Sequence, residues 1–294
     1  MKLSVLNDVA LQAKGGAEAR VAGTPDTVAG YVKAGHDVTV VKGAGASADF
    51  SDSLYKDAGA TIVSSNAAAA KSADLVLSVT GGTEKLVASM KKGAGIMGVL
   101  SPTDNPKYAQ ACAKAGVTAY ALDYIPRISR AQSMDVLSSQ SNLSGYRSVV
   151  EAGGIYGRAF PMMMTAAGTI APAKVFIMGV GVAGLQAIAT ARRLGAVTTA
   201  TDVRPATKEQ VASLGAKFIA VENEEFKAAE TAGGYAKQMS AEYQALQAEL
   251  TASHIAKQDI VITTALIPGR KAPVLVTKAM LDTCLLYTSD AADE

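Results

Sequence analysis

Apolar positions gather in short runs at 3–6, 38–41, 61–63, 75–79, 96–100 and 117–122, and helix signals fill the intervals between them. Thr24-Pro25 reads as a cap and a first-turn proline with Gly35 as the stop, and a further helix runs over 104–115 to Gly116. Strands and helices in alternation imply a parallel sheet wound on both faces. A long helical stretch over 135–160 comes next. A second series then follows, with strands at 175–178, 197–201, 218–221 and 260–264. The expected fold class is therefore α/β: two doubly wound parallel-sheet domains joined by a long helix. The boundaries fall at 1–134 for the first domain, 135–165 for the linker helix and 166–283 for the second domain. The stretch 222–240 has no apolar period and reads as a long exposed loop, of the kind that often serves as a lid.

Composition narrows the classes. The chain has 294 residues, 49% hydrophobic and 18% charged, enough for two globular domains of ordinary size. Its charge-free stretches are interrupted by Pro161, Pro172 and glycines, so no membrane-spanning helix is expected, and the apolar run at 3–6 is too short for a signal peptide. A cytosolic protein follows as the expectation. With a net charge of +2 and scattered lysines and arginines there is no basic stripe for nucleic acid. Cys112 and Cys284 lack metal-ligand spacing, His36 and His254 sit in unremarkable places, and a metal site is not expected.

The chemistry lies after the first strand of the second series. Lys174-Val175-Phe176-Ile177-Met178 is a buried-strand run, and Gly179-Val180-Gly181-Val182-Ala183-Gly184 follows at once, opening a helix over 185–194 that Gly195 closes. In a G-x-G-x-x-G turn the first glycine permits the tight bend and the second lets the backbone approach a pyrophosphate. The third allows close packing of helix on strand. Asp202 ends the next strand, at about the spacing of the acid that hydrogen-bonds a ribose 2′-hydroxyl. Both domains then read as Rossmann-like, the second binding a dinucleotide. In the first, Leu6 is followed by Asn7-Asp8-Val9, which offers no close approach to a phosphate, and Gly43-Ala44-Gly45-Ala46 lacks the third glycine. A carboxylate at the 2′ position favours NAD over NADP. Arg204, two residues on, is nonetheless a cation within reach of a 2′-phosphate.

Pro126-Arg127-Ile128-Ser129-Arg130-Ala131-Gln132-Ser133-Met134-Asp135 resembles the NAD(H)-binding component, domain I, of the proton-translocating nicotinamide nucleotide transhydrogenases. The likeness continues through Ser138-Ser139-Gln140-Ser141-Asn142, Thr165-Ala166-Ala167-Gly168, the glycine turn, Ala200-Thr201-Asp202-Val203-Arg204, Ala232-Gly233-Gly234-Tyr235-Ala236 and Thr263-Thr264-Ala265-Leu266-Ile267-Pro268-Gly269. The resemblance implies that NADH bound here passes its hydride to NADP+ on a separate partner domain, while a membrane domain couples the transfer to proton movement. It implies a homodimer, held peripherally at the inner face of the cell membrane by its partner subunits. Arg127, Gln132 and Asp135 match the family's loop beside the nicotinamide, as orienting groups. Ser138 lies near the carboxamide, and Tyr235 at the tip of a loop that folds over the cofactor. Val182, Val203, Gly234, Ala265 and Leu266 are implied contacts to NAD. Hydride exchange between two nicotinamides needs no protein acid or base, which agrees with the lack of a catalytic histidine or cysteine.

Two other readings stay open. Alanine dehydrogenases resemble the same family, and Arg20 resembles the arginine that grips their substrate carboxylate. Where they have a lysine this chain has Ser78-Val79-Thr80-Gly81-Gly82, and where they have a histidine it has Gly98-Val99-Leu100-Ser101-Pro102, so a general acid/base is missing. The other reading is a binding module that keeps NAD without turnover. The last residues, Cys284 to Glu294, depart from the family pattern and read as a non-native tail on a truncated second domain.

Overall fold

The computed structural model describes residues 1–11, 18–126, 128–229, 239–266 and 272–283. The chain divides into two compact units, Met1–Val136 and Leu137–Glu294.

The first unit runs β1 (Lys2–Val5), α1 (Pro25–Lys33), β2 (Asp37–Val41), α2 (Asp52–Asp57), β3 (Thr61–Val63) and α3 (Asn66–Ser72). It continues with β4 (Leu75–Leu77), α4 (Glu84–Ala88), β5 (Gly95–Gly98), α5 (Pro106–Ala115) and β6 (Thr118–Ala121). All pairings are parallel, in the order β3-β2-β1-β4-β5-β6. Alternation along the strands sends side chains to opposite faces. Leu3, Val5, Val38 and Val40 pack with Val28 of α1 and Tyr55 of α2, while Val76 and Ile96 pack with Ala69, Val87 and Cys112 of α3, α4 and α5. Helix ends follow local chemistry. The Thr24 hydroxyl accepts from the Thr27 N–H ahead of Pro25, and Gly116 closes α5 in the left-handed region.

The second unit contains α6 (Val136–Ile155, its first residue at the division), β7 (Met163–Thr165), β8 (Gly168–Ile170), β9 (Lys174–Met178), α7 (Val182–Arg193) and β10 (Val197–Thr201). Beyond these lie α8 (Thr207–Ser213), β11 (Lys217–Phe218), α9 (Glu224–Lys227), α10 (Ala241–Ile255), β12 (Ile260–Thr263) and α11 (Lys278–Leu281). Its main sheet is parallel with the order β11-β10-β9-β12. Val175 and Ile177 face α7 and α8, and Phe176 and Met178 face α10 and α11. Two α/β units with parallel, doubly wound sheets are the expected fold class.

Several details differ from expectation. Helix α7 starts at Val182, three residues earlier than the apolar period indicates, because Gly184 sits inside its first turn. Strand β11 keeps only two residues. Among the described residues of the stretch expected as a loop at 222–240, α9 is helical and Phe226, Ala229 and Met239 are buried against Tyr243, while 230–238 lie outside the described residues. The antiparallel ribbon β7–β8 was not expected, and every residue of its strands is exposed. Among the described residues no helix is long and apolar enough to cross a membrane.

Candidate functional site

In the second unit the chain turns left from β9 to β10 and right to β12, so the carboxyl ends of β9 and β12 flank the point where strand order reverses. Ligands of open α/β sheets bind in that crevice. The glycine turn fills it. Gly179 takes a φ of +101°, and a Cβ there would stand 2.9 Å from the Thr264 hydroxyl oxygen and 3.0 Å from the Ala265 nitrogen. The Thr264 hydroxyl donates to the Gly179 carbonyl at 2.8 Å, tying the end of β12 to the turn. Gly184 packs so close that any Cβ would meet the Gly179 carbonyl oxygen and come within 2.9 Å of its carbon. Gly181 is the opposite case: a Cβ would meet nothing within 4 Å among the described residues. It is the N-cap of α7, without a side-chain cap, so the positive end of a twelve-residue helix lies behind bare backbone. This space and this polarity suit a pyrophosphate. Behind α7 lies α6, whose buried Gly145 comes so close that a Cβ there would strike the carbonyl of Ala183.

Asp202 follows β10 directly. Its carboxylate accepts from the Val180 N–H at 2.7 Å and from the Arg204 N–H at 2.9 Å. Arg204 Nε and Nη2 close on it at 2.9 Å each. Burial pushes the carboxyl up, but the Arg204 guanidinium and the Val180 N–H together outweigh it and hold the group below its ordinary value. Asp202 is therefore ionised at neutral pH. Sequence reasoning identifies both residues but not their pairing, which depends on how the turn aims the two side chains.

Four more of the predicted positions lie at the same end of this sheet. Val203 and Leu266 follow the carboxyl ends of β10 and β12, the strands on either side of β9, and are 47% and 78% exposed, so neither is core. Val182 is half-buried in the first turn of α7, and Ala265 is half-buried beside Gly179. Ser138 lies in the first turn of α6. Gln132 is exposed in a 3-10 stretch of the first unit, and its carbonyl accepts the Asp135 N–H at 3.3 Å. Arg127, Gly234, Tyr235 and the tail from Cys284 lie outside the described residues.

The corresponding turn of the first unit is filled by side chains. The Asn7 N–H donates to Asn66 at 2.8 Å, and Asp8, 1% exposed, accepts from the Ser78 hydroxyl at 2.6 Å and the Val79 N–H at 3.0 Å. Asp8 also accepts from the Thr80 N–H and hydroxyl, both at 3.1 Å. These partners lie about seventy positions away in sequence, beyond the reach of a motif. Arg20 turns its guanidinium onto Glu18, with Nε 2.7 Å and Nη2 2.6 Å from the two carboxylate oxygens. Its hydrogen bond to Arg20 holds Glu18 below the usual carboxylate range.

Fold and site define a class: a two-unit α/β protein whose second unit carries a Rossmann glycine turn with its acidic partner. Residues 13–144 match the N-terminal domain, and 148–285 the C-terminal domain, described as "Alanine dehydrogenase/PNT". The chain belongs to the alanine dehydrogenase/PNT family. It is 54% identical over 270 residues to an NAD(P) transhydrogenase alpha-subunit chain of Rhodospirillum rubrum, covering 90% of this chain and 70% of that one. The alanine dehydrogenase of Mycolicibacterium smegmatis is more distant, 29% identical over 268 residues, with 89% and 65% covered. The crystal structure of transhydrogenase from Sinorhizobium meliloti superposes with a TM-score of 0.85 at 51% identity, covering 97% of this chain and 75% of that one.

Proposed function

We propose that this chain is the NAD(H)-binding component of a proton-translocating transhydrogenase, holding the NADH whose hydride passes to NADP+ on a partner domain. One observation carries the reading: a glycine turn bare at Gly181 and backed by the ionised Asp202, in a chain whose relatives at about half identity are transhydrogenase alpha subunits. The residues that would hold the dinucleotide are Gly179, Gly181, Val182 and Gly184 at the pyrophosphate and Asp202 at the adenosine ribose. Val203, Gly234, Tyr235, Ala265 and Leu266 would pack along it. When bound, NADH supplies the hydride, and neither nicotinamide ring exchanges a proton in the transfer. The chain's task is then to position: Arg127, Gln132 and Asp135 orient, Ser138 holds the carboxamide, and Tyr235 helps exclude water. The NADP(H)-binding domain and the membrane domain are its partners. The chain acts as a homodimer on the cytoplasmic face of the membrane, through those partners.

The alanine dehydrogenase reading is the weaker one: Ser78 and Thr80, at the position of its lysine, serve Asp8, and the alanine dehydrogenase relative is the more distant.

The test is to mix the purified chain with the NADP(H)-binding component and follow transfer from NADH. Rapid transfer is expected; tight NADH binding with no transfer would leave only a binding module. Within that assay, Gln132→Asn should slow transfer while NADH affinity stays nearly intact, because a shortened orienting group disturbs a reacting geometry that tolerates little displacement. Equal losses in rate and affinity would make Gln132 an ordinary binding contact. Asp202→Ala should weaken NADH binding by about 1–3 kcal/mol, the cost of removing a charged acceptor from ribose hydroxyls. An unchanged dissociation constant by fluorescence titration takes Asp202 out of the site.

A further inference from the structure

Arg204 meets Asp202 as a fork. Nε lies 2.9 Å from Oδ1 and Nη2 2.9 Å from Oδ2, and Nη2 also donates to the Val180 carbonyl at 3.1 Å. The backbone N–H groups of Val180 and Arg204 take a second bond at each oxygen. A carboxylate offers about four lone-pair positions, and all are taken here, so a ribose hydroxyl binds Asp202 by displacing one of these donors. The Asp202 side chain is nearly buried, at 7% exposed, whereas Arg204 keeps 31% of its side chain in water. The Thr207 hydroxyl donates to the Arg204 carbonyl at 2.7 Å and fixes the backbone that carries the fork. Guanidinium is planar, permanently charged and shaped for phosphate as well as for carboxylate. At the end of β10 it stands where a phosphate on the ribose 2′-oxygen would arrive if that ribose binds Asp202.

We propose that Arg204 is the specificity-determining residue of this site, a latent 2′-phosphate receptor that Asp202 keeps closed. The proposal rests on the reading of Asp202 as the ribose ligand. Asp202 then excludes a 2′-phosphorylated nucleotide twice: its charge repels the phosphate, and its fork withdraws the cation that would bind it. Simple repulsion makes a different prediction. If charge alone excluded the phosphate, removing the carboxylate would admit it whatever stood at position 204.

Binding of ADP and 2′,5′-ADP to the full chain, measured by calorimetry, separates the two, with NADH and NADPH fluorescence as a second readout. Asp202→Asn should weaken ADP and NADH and raise the preference for 2′,5′-ADP by about tenfold or more, the scale of one charge-assisted contact. The double variant Asp202→Asn/Arg204→Gln should lose most of that gain, while Arg204→Gln alone should keep the preference for ADP. Asp202→Ser leaves a hydroxyl acceptor for the Val180 N–H and repeats both arms if the amide variant folds poorly. A double variant that gains as much as Asp202→Asn overturns the proposal, because repulsion alone then sets the choice. Weakened ADP with no gain for 2′,5′-ADP in either single variant at position 202 overturns it too, and leaves the ribose reading standing. If neither ADP nor NADH responds to the loss of the carboxylate, the ribose reading itself fails and the proposal falls with it.

Discussion

Gly184→Ala is expected to cost the second unit about 3 kcal/mol, the upper part of the range for forced overpacking. Its unfolding midpoint by calorimetry should fall by roughly 6–12 °C, given the entropy of a unit of this size. The added Cβ has no soft neighbour. It meets the Gly179 carbonyl, which is backbone at the end of a buried strand, and the Thr264 hydroxyl at 3.1 Å, which is itself bonded to that carbonyl. Relief requires moving the first turn of α7 off β9, and Ala183 in that turn already touches Gly145 of α6. Gly181→Ala makes the matching control. Its Cβ enters open space at a φ of −85°, so stability should hold while NADH affinity drops, the methyl standing where the pyrophosphate needs bare backbone. A Gly184→Ala protein that melts with its parent would show that helix and strand do not approach this closely.

Asp8→Ala should cost the first unit about 2–3 kcal/mol, because it removes the acceptor shared by the buried Ser78 hydroxyl and the part-buried Val79 and Thr80 N–H groups. Ser78 can still accept from the Gly81 N–H at 2.9 Å, but the Val79 and Thr80 N–H groups lose their partner. Hydrogen exchange should accelerate first at those two amides, ahead of any general loss of protection in the first unit. Asp8→Asn keeps the shape and one acceptor oxygen, and should fall between. A loss within about 0.5 kcal/mol, the range of an ordinary surface change, would contradict the hub described for Asp8.

How far each of these features can be read in advance depends on the distance over which it is encoded. The parallel strands and the β9 turn are local, so apolar runs bounded by glycine place all but β11 within a residue or two. Helix α7 begins early because a glycine in a helical first turn looks, in sequence, like part of the loop before it. The β7–β8 ribbon carries no signal: Met163 and Met164 point to opposite faces and neither face is buried, so no alternation marks it. Helix α9 is four residues long, too short to display a period, and the burial of Phe226 depends on Tyr243 seventeen positions on, in α10. Asp8 illustrates the extreme, a polar residue whose meaning lies in a turn some seventy positions away. At the site, Asp202 and the three glycines are legible from their spacing. Gln132, Asp135 and Ser138 are proposed on family likeness alone, since an exposed glutamine in a 3-10 stretch looks like any other polar surface.

The Asp8 knot also sets a rule for engineering. Both units present a parallel sheet with β1 or β9 at its centre, so the first would look like ready scaffolding for a second nucleotide pocket. Grafting a glycine turn in place of Asn7-Asp8-Val9 would strip the acceptor from Val79 and Thr80 before any phosphate arrived to replace it. The donors would have to be rehoused first, by recasting the turn at 78–82 so that it satisfies its own N–H groups. Two halves built on one plan are thus not interchangeable parts: one end has been left open for a guest, and the other has been soldered shut from within.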